Sequence, residues 1–377
     1  MYSQQELDDA VAAGAITSDS ANALRAFVAN QRHSTIVDEE QFRLLTGFND
    51  IFVAIAGVIL LFAVGWIGHS LGAAIDLDFD GNGPSPLSGA AVAATAWGLA
   101  SYFTARRRMA LPSILFLFAF IGGLFWAAGT TLGLIFEDAI RGNDDEALAA
   151  WLAAVAAAVA AAGAYLHWRR FKVPVTVAAG AVSAAGIIGA IVVAIFAPSV
   201  SNDALDTILL VTALLLGIGV FLFAMRWDMA DPSRVTRKSD VAFWLHLAAA
   251  PMIVHPVFAL LGLTGGSASV GEGVLVIILY VALAGVALAI DRRAVLVSGL
   301  LYVLFALTRL FEEFGAVELN IALTAFVIGS ALLLLSAFWH EARGAVLKIL
   351  PAGLVGRLPD LHSVRRQAAA EVSPSQA

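Results

Sequence analysis

The chain has 377 residues, is 60% hydrophobic and 14% charged, and carries a formal net charge of −7 with a mean hydropathy of +0.86. A water-soluble protein has too little polar surface to cover such an apolar excess, and the acidic balance excludes the basic footprint of a nucleic-acid binder. The absence of cysteine excludes disulfides, thiolate metal sites and cysteine nucleophiles.

Residues 1–49 precede the first apolar run, which starts near Ile51 without a basic lead, so no cleavable signal peptide is expected. The first 33 residues predict two short helices. Ser3 and Glu6 have capping-box spacing, Gly14 ends the first helix, and Thr17 or Ser18 caps the second. Leu7, Val11, Ile16, Leu24 and Phe27 form a shared apolar face too small to be stable alone. This cytosolic hairpin is therefore expected to pack on a cytosolic partner, on a second copy of the chain or on the membrane-facing loops. Asn49 or Asp50 is the expected N-cap of the first membrane helix.

A bilayer core about 30 Å thick takes about 20 apolar residues per helix. The continuous runs predict an all-α, polytopic transmembrane helix bundle of about ten spans, not a barrel. The expected spans are 51–71, 87–104, 112–136, 147–167, 174–197, 205–225, 240–262, 272–290, 294–314 and 318–339. The segments after even-numbered spans hold Arg106–Arg108, Arg169 to Lys172, Arg226 to Lys238, and Arg292 with Arg293. Together with the two ends of the chain, one side holds 20 of the 22 Lys and Arg residues, leaving only Arg141 and Arg309. Cytoplasmic loops retain positive charge, so both termini are expected in the cytoplasm. These basic turns recur about every 60 residues, which suggests a serial array of helical hairpins. A five-plus-five inverted repeat fits ten spans equally well.

The loop after the first span, DLDFDGNGP, sets Asp76, Asp78 and Asp80 before Gly81, as in the opening half of a calcium loop. Its twelfth position would be Leu87, where a bidentate glutamate is needed, so a solvated acidic turn is the expectation. Gly180, Ala184, Gly186 and Ala190 give the fifth span small-residue faces of the kind used for close helix packing. Trp168, Trp227 and Trp339 fall where interface anchors sit.

The seventh span holds Pro251 and Pro256, the only prolines inside a span, together with His246 and His255. Each proline removes an amide donor, and broken helices are where transporters place substrate and ion sites. Histidine in a membrane relays protons or binds metal. The alternative is a kinked helix whose imidazoles hydrogen-bond to neighbours, since nine residues at 100° put the two rings on opposite sides. The ninth span ends in Arg309, Glu312 and Glu313, with i+3 and i+4 spacing. That cluster is either a gate or ion-coupling pair, or an ion-paired cap at the outer surface.

The tail from 341 to 377 mixes aliphatic and spaced basic residues, expected as an interfacial helix followed by a disordered end. The stretches FRLLTGFNDIF, YLHWRRFKVPVTVAAG, SDVAFWLHLAAAPMIVHP and LKILPAGLVGRLP are similar to those of a bacterial family of multi-pass membrane proteins with an N-terminal domain of unknown function. The resemblance implies a bacterial inner-membrane protein and supplies no activity. Nineteen Arg against three Lys also fits a GC-rich bacterial genome.

No GxxxxGK[ST], HExxH or GxSxG motif occurs, and no cofactor is implied. The expected function is movement of a small solute or ion, with His246, Pro251, His255, Pro256, Arg309, Glu312 and Glu313 as transport candidates. A non-catalytic scaffold or sensor is the alternative, and a membrane enzyme comes third.

Overall fold

A computed structural model of the chain describes residues 10–21, 23–24, 48–78, 83–143, 146–231, 234, 236–263, 270–313, 320–355 and 358. Two units, 1–44 and 45–377, are described separately. In the first, Gly14 adopts φ +69°, the amide of Gly14 donates to Val11 O at 3.0 Å, and that of Ala15 donates to Ala10 O at 2.9 Å. That is the paired hydrogen-bond pattern of a glycine helix stop. Thr17 Oγ1 then accepts the Ser20 amide at 3.1 Å, the expected cap of the next turn. Leu7 and Phe27 lie outside the described residues.

In the second unit, all regular structure among the described residues is helical. The helices are α1 (Phe48–Ala73), α2 (Pro86–Leu99), α3 (Ala110–Ile135), α4 (Glu137–Asn143), α5 (Glu146–Phe171), α6 (Val175–Phe196) and α7 (Asn202–Met229). Then come α8 (Arg237–Leu260), α9 (Val270–Ile290), α10 (Ala294–Glu313), α11 (Asn320–Ala337), α12 (Trp339–Ile349) and α13 (Ala352–Val355). Seven are long and apolar enough to cross a membrane, or eight if the bent pair α11–α12 is one span. Each expected span overlaps a helix, but α2 and α10 fall short of that standard and α11 meets it only together with α12. Fourteen residues make up α2, which continues into a π-helical turn over Ala100–Thr104. Large apolar side chains crowd the outside: Phe62, Leu215 and Leu333 are 71%, 63% and 73% exposed. Water does not tolerate such a belt; hydrocarbon does.

Local chemistry sets the helix ends. Ser85 caps α2, with Oγ accepting the Leu87 amide at 3.3 Å and Pro86 in the first turn. Ser201 and Thr236 cap α7 and α8 in the same way. The basic turns share a device. Arg108, Lys172, Arg234 and Asp291 each adopt φ between 53° and 57°, one left-handed residue per turn. These turns join α2–α3, α5–α6, α7–α8 and α9–α10 into helical hairpins, and the partners of the first three make the most extensive helix contacts.

The hairpins stack in chain order. One core joins α1, α2, α3 and α5 around Leu61, Ala96, Phe116, Leu117 and Ala160. A second joins α6, α7 and α8 through Ala178, Ala224, Val241 and Leu245. The last two link α8 to α9, α10, α11 and α12. This is the packing of a serial array, as the spacing of the basic turns suggests.

Three successive hairpins bury two polar residues just inside the turn: Thr104 and Ser113, His167 and Thr176, and Asp228 and Ser239. Within the second pair, His167 Nδ1 lies 3.1 Å from Thr176 Oγ1, walled by Trp97, Phe120 and Phe171.

The closest backbone approaches are not on the small-residue face of α6. A Cβ at Gly186 or Gly189 would meet nothing within 4 Å, and one at Gly180 would make only ordinary contact with Ala164. Tight crossings are α2 on α3, where a Cβ at Gly89 would stand 2.6 Å from Gly123 O and one at Gly123 2.7 Å from Gly89 O, and α1 on α2, where a Cβ at Gly68 would stand 2.6 Å from Leu87 O. Gly217 of α7 approaches Met252 of α8 as closely, at 2.8 Å.

Candidate functional site

Ionisable groups converge where α7, α8, the α9–α10 turn and α12 meet. Asp228 lies one residue from the end of α7 and is 1% exposed. Its carboxylate takes a two-pronged ion pair from Arg292, itself 2% exposed: Nη2 donates to Oδ1, and Nε to Oδ2 at 3.3 Å. The same Nη2 donates to Ser239 O at 3.2 Å and lies 3.1 Å from Ser239 Oγ. From the other side, His246 Nε2 reaches Asp228 Oδ2 at 2.9 Å. His246 is fully buried, packs edge-on to Phe221, and keeps Nδ1 without a hydrogen-bond partner. Nine residues into α8, it stands roughly 14 Å along the helix from Arg237.

Local structure presents these groups. Asp291 terminates α9 in the left-handed region, with the Arg292 amide donating back to Ala287 O at 2.9 Å. That reversal aims Arg292 inward while holding Asp291 beside the next helix. Asp291 then accepts from Trp339 Nε1 at 2.6 Å and pairs with Arg234 Nη1 at 3.3 Å. Arg234 also donates to Asp291 O at 2.9 Å and Ile290 O at 3.3 Å, and Arg343 Nε donates to Leu288 O at 3.2 Å. Asp231 accepts the Thr236 amide and hydroxyl at 2.8 and 2.7 Å, fixing the turn that carries Arg234. Two linked charge clusters thus clamp four elements at one end of the bundle.

Of the sequence-expected site residues whose side chains are described, only His246 joins this cluster. His255 is exposed, and its Nδ1 lies 2.6 Å from Tyr302 Oη on α10. The two histidines therefore engage different partners and share no site. Both prolines lie within α8, which runs as one helix through them; Pro256 is fully buried and Pro251 exposed. Arg309, Glu312 and Glu313 occupy the end of α10, and their side chains lie outside the described residues. Asp76 is exposed at φ 53°, Asp78 is buried with Oδ2 unpartnered, and Asp80 lies outside the described residues. Among the described residues no three His, Asp or Glu side chains group as a metal site. Trp339, expected as an interface anchor, is instead 3% exposed and hydrogen-bonded to Asp291.

In sequence, Arg234 and Arg292 read only as loop charges, and neither Asp228 nor Asp291 is singled out. The available signal was acids set among topology-determining arginines, in WDMADPSR and AIDRR. Comparison with protein-family models, curated proteins and solved structures gives no match.

Proposed function

We propose that this protein is a ten-span inner-membrane protein of a bacterium, with both termini cytoplasmic, that moves a small solute or ion across the bilayer. In this proposal the Asp228–Arg292–His246 cluster closes the path at its cytoplasmic end. The observation that carries the proposal is the burial of three ionisable side chains, each 2% exposed or less, inside an apolar helix bundle. Desolvating such charges costs several kcal/mol per ion even after relaxation, and ionisable groups within membrane helices mark ion and substrate paths. The unpartnered Nδ1 of His246 is a donor or acceptor ready for a proton or a water. The basic turns support the orientation, and the N-terminal hairpin belongs to the proposal as a cytosolic module.

The test is an uptake screen of metabolites and ions in proteoliposomes, repeated with Asp228→Asn and Arg292→Gln. Expected is a flux through the wild type that both variants abolish or convert to leak while still purifying as one species. Vesicles tight to every solute tested, with variants that differ only in stability, would sink the proposal.

A scaffold or sensor is the second reading, favoured by two clefts of about 200 and 340 Å³ whose walls are almost wholly apolar. Under it, the hairpin holds a partner and the charge clusters are static fasteners.

A further inference from the structure

The smaller cleft, about 200 Å³, runs between α10 and α11. Leu296 and Leu300 form one wall, Leu332 and Leu335 the other, and Arg293 with Trp339 closes one end. Its volume equals that of about seven liquid waters. Water there would find almost no partners, because apart from Arg293 and Ser336 at the rim the lining is hydrocarbon and indole. An apolar chain is the occupant that satisfies such walls.

The closed end has the opposite character. The Arg293 guanidinium lies over the Trp339 ring, 4.9 Å from its centroid, and the ring is fixed by its bond to Asp291. A guanidinium carries its five N–H donors in a planar fork, the geometry that meets a phosphate. The chain turns by 79° between α11 and α12 at this same point, the direction change of a helix passing from a span to a bilayer surface. Cation and apolar slot are thus stacked in the order of a lipid's headgroup and acyl chain.

We propose that this cleft binds an anionic glycerophospholipid, its phosphate on Arg293 beside Trp339 and one acyl chain between α10 and α11. The site is independent of any transport path, and its test involves no flux. Detergent-purified protein is incubated with dioleoyl phosphatidylglycerol, dioleoyl phosphatidylcholine or inorganic phosphate, and retained adducts are counted by native mass spectrometry. Phosphatidylglycerol should be retained in preference to phosphatidylcholine. Arg293→Gln should remove that preference by about tenfold, as expected on losing a charge-assisted hydrogen bond, and Arg293→Lys should restore part of it. Val297→Trp places a large side chain on the exposed rim of the cleft, where folding is spared, and should reduce retention of both lipids. Equal retention of the two lipids, or phosphatidylglycerol retention unchanged in Arg293→Gln and Val297→Trp, overturns the proposal. Protection from unfolding by inorganic phosphate alone, equal to that by phosphatidylglycerol, overturns it as well.

Discussion

Asp228 has its charge neutralised by one residue and its geometry shared with another. Removing that charge leaves Arg292 buried without a counter-ion, and a buried pair broken at one partner typically costs 3–5 kcal/mol. Asp228→Asn is therefore expected to lower the thermal midpoint of the purified protein sharply. Asp228→Asn with Arg292→Met should cost less than the two single changes added together, because no lone charge remains. His246→Ala should cost about 1–3 kcal/mol, because it removes the shorter of the two bonds at buried Asp228 Oδ2 and leaves only the 3.3 Å bond from Arg292 Nε. His255→Ala loses one bond to Tyr302 at an exposed position and should cost about 0.5–1.5 kcal/mol. Equal losses at the two histidines would contradict the burial that separates them.

Among the elements, the helices themselves were legible in sequence because a continuous apolar run has one solution in a bilayer. Caps at Gly14 and Thr17 were legible because they depend on neighbours three or four residues away. The charge clusters were not, because their partners lie 18, 57 and 64 positions apart and each arginine taken alone reads as a loop charge. Helix crossings were misread for the same reason: a small-residue stripe shows where two backbones are able to meet, while the partner helix decides where they do. Gly186→Ala on α6 should thus be neutral. Gly89→Ala or Gly123→Ala should push α2 from α3, since the new methyl meets backbone that cannot move aside, at about 1–3 kcal/mol. Thermal melts of the three variants in one detergent check the contrast.

The helical unit 45–377 is a row of hairpins, each resting mainly on the next. Reporter fusions after Arg108, Arg170 and Lys238 should read cytoplasm, and fusions near Asp80 and Gly266 should read periplasm; a periplasmic signal at Arg106–Arg108 would refute the topology. Deleting residues 2–33 should leave membrane yield nearly unchanged.

The ion pair between Asp228 and Arg292 also has a history within each molecule's synthesis. His167 finds Thr176 within its own hairpin, so that pair is complete as soon as the hairpin exists. Asp228 meets His246 early but must wait for Arg292, which is 64 residues further along the chain. At translation rates of roughly 5–20 residues per second, that is a delay of roughly 3–13 s. During that interval the carboxylate stands without its guanidinium. The third hairpin is therefore expected to reach its final packing only after the fourth emerges. Chains halted at 263 should be cleared by membrane proteases, whereas chains halted after Ile349 should persist.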